Sequence, residues 1–213
     1  KKIITKTINV IESLQGDGSV SDVDTTDYNG TNLNYFQTLR NGWNLVKAPT
    51  NSLISMEDLV NFYDKNIIIE TNETNFTAYT NIYGYLNNKW YSKNDKDGYF
   101  SYQDGIWVYL DINIDSHAID LSELTPLVYA NISLTNGWNL KSNPLSSKIY
   151  VRNLLQSEIK NCEYQKLDFK IFRYINSQWK YYDSSYNGDD MIGSYEGFWI
   201  YSDTSKNYNI TAE

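Results

Sequence analysis

One histidine, one cysteine and several acidic loops are the residues here whose types could do chemistry. His117, the single imidazole among 213 residues, stands in "DSHAID". A nucleophilic triad needs a histidine beside a serine or cysteine. This one stands after the "DGIWVYLD" strand, near the end of the first of two repeats, has no counterpart in the second, and reads as a lone connector histidine. Cys162 lies in "KNCEYQK" with no histidine close by in sequence, so it reads as a small buried hydrophobe rather than a reactive thiol. A single cysteine permits no intrachain disulfide, and zinc needs Cys/His clusters that this sequence lacks.

Carboxylates are the remaining candidates. Glycosidases need only two. The acids that recur are Asp104 with Glu196 and Asp111 with Asp203, which bracket the last strand of each repeat. An acid followed by glycine before a strand is ordinary turn chemistry, so the reading is non-catalytic. Calcium is the one cofactor for which oxygen ligands are present. Asp17, Asp22 and Asp24 lie in "DGSVSDVDTTD", Asp95 and Asp97 in "NDKDG", and Asp189 and Asp190 in the aligned "NGDD". Alternating acids can wrap a hard cation, yet none of these loops completes the helix-loop-helix spacing with its terminal glutamate. Solvated acidic loops are the expected reading.

The formal charge of −8 and a pI near 4.7 repel DNA, RNA and anionic lipid surfaces, so no nucleic-acid partner is expected. No apolar run approaches the roughly 20 residues of a membrane helix, and no membrane insertion is expected. The chain begins at Lys1 rather than methionine, which implies removal of an upstream segment. Aromatic residues make up 15% of the chain, 20 of them tyrosine. Tyr and Thr favour strands while Asn and Gly favour turns, so the composition is β-rich. Few cysteines are compatible with a secreted or cell-surface location. The five Asn-x-Ser/Thr sequons, starting at Asn29, Asn72, Asn75, Asn131 and Asn209, arise as often by chance in so Asn-rich a chain.

The elements that carry these residues follow from a repeat. "NGWNL" occurs at Asn41–Leu45 and again at Asn136–Leu140, an offset of 95. Pro49 falls on Pro144, Ile54 on Ile149 and Leu59 on Leu154 at that offset. "IYGYLNNKWY" then lies over "IFRYINSQWK" at an offset of 89, and "DGIWVYLD" over "EGFWIYSD" at 92. All six tryptophans pair: Trp43 with Trp138, Trp90 with Trp179, Trp107 with Trp199. The chain therefore holds two tandem homologous repeats, 32–120 and 121–213, behind an N-terminal strand and tether, 1–31.

Each repeat opens with a turn and a short strand, followed by a Pro loop. A helix comes next, with Ser55 as N-cap before "MEDLVNFY" and a counterpart near "VRNLLQSEI". The period then becomes two: Leu167, Phe169, Ile171 and Ile175 share one face, opposite Asp168, Lys170 and Asn176. Asn87-Asn88 and Asn176-Ser177 stand where a tight hairpin must turn. The fold class is α+β and strand-dominated, each repeat a mostly antiparallel sheet with one short helix. The tryptophans are assigned to the structural core of each repeat, where a buried indole contributes several kcal/mol. The alternative is that they are sugar-stacking platforms.

The series GWNL, proline, short helix, "IYGYLNNKW" and "GIWVY", with its second copy ending in "GFWIY", resembles a tandem repeat of large secreted and surface-anchored bacterial proteins. That repeat is common in epsilon-type proteobacteria, and the likeness covers nearly everything after residue 32. The resemblance implies an exported, non-catalytic, β-rich module and brings no functional residues with it. The expectation is an extracellular structural or adhesive protein; the alternative is a carbohydrate-binding module or accessory domain of a secreted hydrolase, with glycans as partners. The arm adds self-assembly. Ile4, Ile8 and Val10 share one side of a strand in "KKIITKTINVI", which can pair within its own chain or be donated to the next molecule, building a head-to-tail filament.

Overall fold

The computed structural model describes residues 36–211 apart from 67, 71–74, 78–79, 96, 112–115, 122–123, 126, 157, 161–162 and 166–168. The arm strand with Ile4, Ile8 and Val10, the loop with Asp17, Asp22 and Asp24, and Cys162 lie outside the described residues. The first repeat opens with β1 (Phe36–Arg40), β2 (Gly42–Lys47), β3 (Leu53–Ser55) and α1 (Met56–Asn66). It continues with β4 (Ile68–Glu70), β5 (Asn75–Thr77), β6 (Thr80–Leu86) and β7 (Lys89–Ser92), then β8 (Tyr99–Ser101), β9 (Gly105–Leu110) and β10 (Ser116–Asp120). The second runs through β11 (Tyr129–Leu134), β12 (Gly137–Ser142), β13 (Ile149–Tyr150), α2 (Val151–Gln156), β14 (Glu158–Lys160) and β15 (Glu163–Gln165). It ends with β16 (Lys170–Ile175), β17 (Gln178–Tyr182), β18 (Met191–Ile192), β19 (Gly197–Ser202) and β20 (Lys206–Thr211).

The element order is the same in both halves, and so is the pairing. Four-stranded antiparallel sheets run β2-β9-β6-β7 and β12-β19-β16-β17. The first and last strands of each repeat pair with each other, β1 with β10 and β11 with β20. His117 therefore sits in a paired strand, opposite Leu39, and not in a connector.

Local chemistry accounts for the elements. Ser55 Oγ accepts the Asp58 amide at 3.0 Å and caps α1, whose first turn is acidic and whose last turn holds Lys65. The hairpin residues Asn87 and Asn88 have φ of 51° and 62°, and Asn176 and Ser177 have 51° and 60°. Two successive positive φ values give the tight turn whose twist matches the strands it joins.

Each sheet buries one face beneath its helix. In the first repeat Met56, Leu59 and Tyr63 of α1 pack with Ile82, Phe100 and Val108. In the second Leu154 and Leu155 of α2 pack with Ile171, Phe198 and Ile200.

The tryptophans do not belong to these cores, which corrects the expectation drawn from the sequence. Trp43 is 42% exposed, Trp90 50% and Trp179 52%, while Trp107, Trp138 and Trp199 are half-buried. The reason lies in the period of two. Successive strand residues face opposite sides, and here both sides are apolar. Ile106, Val108 and Leu110 turn toward the helix, leaving Trp107 and Tyr109 for the other face. An apolar alternation identifies two faces without saying which one the helix covers.

Candidate functional site

The faces of the two sheets turned away from the helices carry the tryptophans at equivalent places. Trp43 stands opposite Tyr109 and Trp138 opposite Tyr201; Trp90 stands opposite Tyr85 and Trp179 opposite Tyr174. Ring-to-ring contacts join all six. Trp43 and Trp107 have centroids 6.1 Å apart, Trp107 and Trp179 5.7 Å, Trp179 and Phe172 6.3 Å, and Phe172 and Trp138 5.4 Å. Trp138 to Trp199 at 6.5 Å and Trp199 to Trp90 at 5.7 Å complete the array. Most neighbours meet edge to face, the arrangement the ring quadrupole favours.

Two of these contacts cross between the repeats, and they do so reciprocally. Tyr174 and Trp179, from the second repeat's hairpin, lie 5.3 and 5.7 Å from Trp107; Tyr85 and Trp90, from the first repeat's hairpin, lie 5.0 and 5.7 Å from Trp199. The hairpin tips reach the other repeat's opening turn. Arg40 Nη1 donates to Asn176 Oδ1 at 2.7 Å, and a Cβ on Gly137 would lie 3.5 Å from Asn88 Oδ1. Gly42 and Gly137 hold φ of 92° and 99°, a conformation side-chain-bearing residues rarely adopt. The phrase "NGW" is thus written twice because each copy forms the turn that meets the other repeat's hairpin.

A backbone seam fastens the halves with the same reciprocity. Lys47 N donates to Tyr195 O at 2.8 Å, and Ser142 N to Gln103 O at 3.0 Å. Isolated bridges pair Val46 with Glu196 and Asp104 with Lys141. The seam explains Gly105: a Cβ there would stand 2.5 Å from the Lys141 carbonyl oxygen.

The recurring acids Asp104 and Glu196 are buried, each with a cation. Lys141 Nζ lies 2.7 Å from Asp104 Oδ1, and Arg173 binds Glu196 through Nε at 2.9 Å and Nη2 at 2.8 Å. Burial pushes the Glu196 carboxyl up, against the pull of Arg173 and the Gly193 amide. Both carboxylates are taken up by protein partners, Asp104 also by Ser101 and Glu196 by the Gly193 amide. Their cations were not recognised from sequence, although a signal existed: Lys141 replaces Val46 and Arg173 replaces Gly84 between otherwise similar copies. Lys47 is also buried, donating to the carbonyls of Ala48 and Thr50 at 3.2 and 3.0 Å, and burial pushes its amine down to about 7.

The acidic residues of the two described loops are engaged separately. Asp95 accepts from the Ser92 amide and hydroxyl at 2.8 and 2.9 Å, bonds that hold its carboxyl below the usual range, while Asp97 is exposed. Asp189 pairs with Arg152, and Asp190 accepts from Tyr182 Oη at 2.7 Å. Among the described residues no three His, Cys, Asp or Glu gather as a metal site. The surface that stands out is the aromatic face. Comparison of the chain with known protein families, curated proteins and solved structures found no match.

Proposed function

We propose that this chain is a non-catalytic structural and adhesive module of a secreted or cell-surface protein, and that the aromatic face is its contact surface. The observation that carries the reading is the exposure of Trp43, Trp90 and Trp179 within one array of rings. Large apolar side chains left in contiguous exposure mark interaction surfaces, and Trp and Tyr are enriched at the centres of such contacts. The recurring carboxylates are held by Lys141 and Arg173, which supports a non-catalytic role. The acidic charge disfavours nucleic acid as a partner, and among the described residues no helix is long and apolar enough to cross a membrane. The test is adhesion of beads coated with the intact chain to cells and to extracellular matrix. The double variant Trp43→Ala/Trp138→Ala should lose most of the adhesion while keeping its circular dichroism; unchanged adhesion would overturn the reading.

A second reading concerns assembly. In their sheets β7 and β17 stand at the edge, each pairing with one neighbour among the described strands, and an open edge can accept a strand from another molecule. Donation of the arm strand with Ile4, Ile8 and Val10 would then link copies head to tail. Deleting residues 1–14 should abolish filaments seen by electron microscopy; filaments from the truncated chain would exclude donation.

A further inference from the structure

We infer that the aromatic face is a binding site for a neutral polysaccharide, with two equivalent subsites centred on Trp43 and Trp138. This rests on the face being the contact surface and names what it contacts.

The subsites are built alike. Trp43 has Tyr83, Trp107 and Tyr109 around it at centroid distances of 5.8, 6.1 and 5.0 Å; Trp138 has Phe172, Trp199 and Tyr201 at 5.4, 6.5 and 5.2 Å. Every position in one set is the repeat equivalent of a position in the other. A chain of repeating chemistry suits a surface of repeating chemistry, because engagement of one subsite raises the effective concentration at the second.

The ring chemistry points to sugar. A pyranose presents a patch of C–H bonds on its ring faces and hydroxyls at its edges. An indole or phenol ring accepts the C–H patch while the hydroxyls stay hydrated or meet Tyr Oη and Trp Nε1. Tilted and edge-to-face ring contacts hold the rings before any ligand arrives, which lowers the ordering cost of binding.

Charge selects the neutral class. Of the chain's 26 acidic residues, none lies in the eight strands of the two four-stranded sheets. Lys141 and Arg173 are buried with their acids, and Lys170, on the ring-bearing side, lies over the Tyr201 ring at 5.4 Å. The face is close to uncharged within a chain of −8, so an anionic polymer meets long-range repulsion and a neutral one meets none.

The experiment titrates the intact chain with neutral oligosaccharides of glucose, xylose, mannose and N-acetylglucosamine, three to six units long, with oligogalacturonate as the anionic probe. Tryptophan emission and calorimetry are the readouts. At least one neutral series should shift the emission and bind more tightly with length. Trp43→Ala and Trp138→Ala should each weaken binding roughly three- to tenfold, and the pair together should remove the length dependence. Trp43→Tyr should keep most of the affinity, which separates loss of the ring from loss of the fold. Absence of binding by every neutral series, binding indifferent to both alanine variants, or preference for oligogalacturonate overturns the inference. So does sedimentation showing a dimer that Trp43→Ala dissolves, since a second copy would then occupy the face. Adhesion that depends on Trp43 and Trp138 without any glycan binding would sink the inference and leave the adhesive reading standing.

Discussion

Lys141 of the second repeat places its ammonium 2.7 Å from the Asp104 carboxylate of the first, with both side chains buried. The carboxylate is held in place by its own repeat, since Asp104 Oδ2 also accepts the Ser101 amide and hydroxyl at 2.8 and 2.7 Å. The equivalent site across the seam has Val46 beside Glu196, and there Arg173 supplies the cation from within the repeat. One buried pair therefore fastens the halves together, and the other is internal.

The first prediction tests that pair. Lys141→Met leaves a buried carboxylate without its cation, a change that costs about 3–5 kcal/mol. The Ser101 bonds place this case toward the lower end. Asp104→Asn alone should also destabilise. Denaturant midpoints of the double variant should show a loss smaller than the sum of the two, by about 1–3 kcal/mol.

Gly105→Ala should loosen the seam. The added Cβ would stand 2.5 Å from a backbone oxygen that cannot swing aside. Overpacking of this kind costs about 1–3 kcal/mol, so calorimetry should show a melting temperature lower by several degrees. A variant melting with the parent would mean that the repeats do not pack as described.

Exposed and buried rings should separate in stability. Phe198 is fully buried beneath α2, so Phe198→Ala should cost about 3–5 kcal/mol. Trp43→Ala removes a larger ring from a partly solvated face and should cost less. Equal losses in urea unfolding would return the tryptophans to the core.

Lys47 makes stability depend on pH. Its amine titrates near 7 when folded and near 10.5 when unfolded. Between those values the unfolded chain binds the proton and the folded chain does not, so the stability of the fold rises with pH. Below pH 7 both states are protonated, and burial of the charge is a fixed cost. The denaturant midpoint should therefore increase from pH 7 to 9, and Lys47→Met should flatten that increase.

What the sequence determined by itself was local or repetitive. Ser55 as helix cap, the Asn87-Asn88 and Asn176-Ser177 turns, and the strand-dominated α+β class depend on near neighbours, whose preferences act in any context. The pairing of Trp43 with Trp138 followed from spacing alone. Which side of a sheet is the core is a different kind of question. Val108 and Tyr109 are adjacent and both apolar, and only the docking of α1 and the β1-β10 ribbon decides that the aliphatic one is covered and the aromatic one is left half-buried among the rings. The seam has the same character. Lys141 meets Asp104 and the second repeat's hairpin meets Trp107 because two repeats distant in sequence close on one another, and burial is a property of what arrives on a surface rather than of the residues that form it.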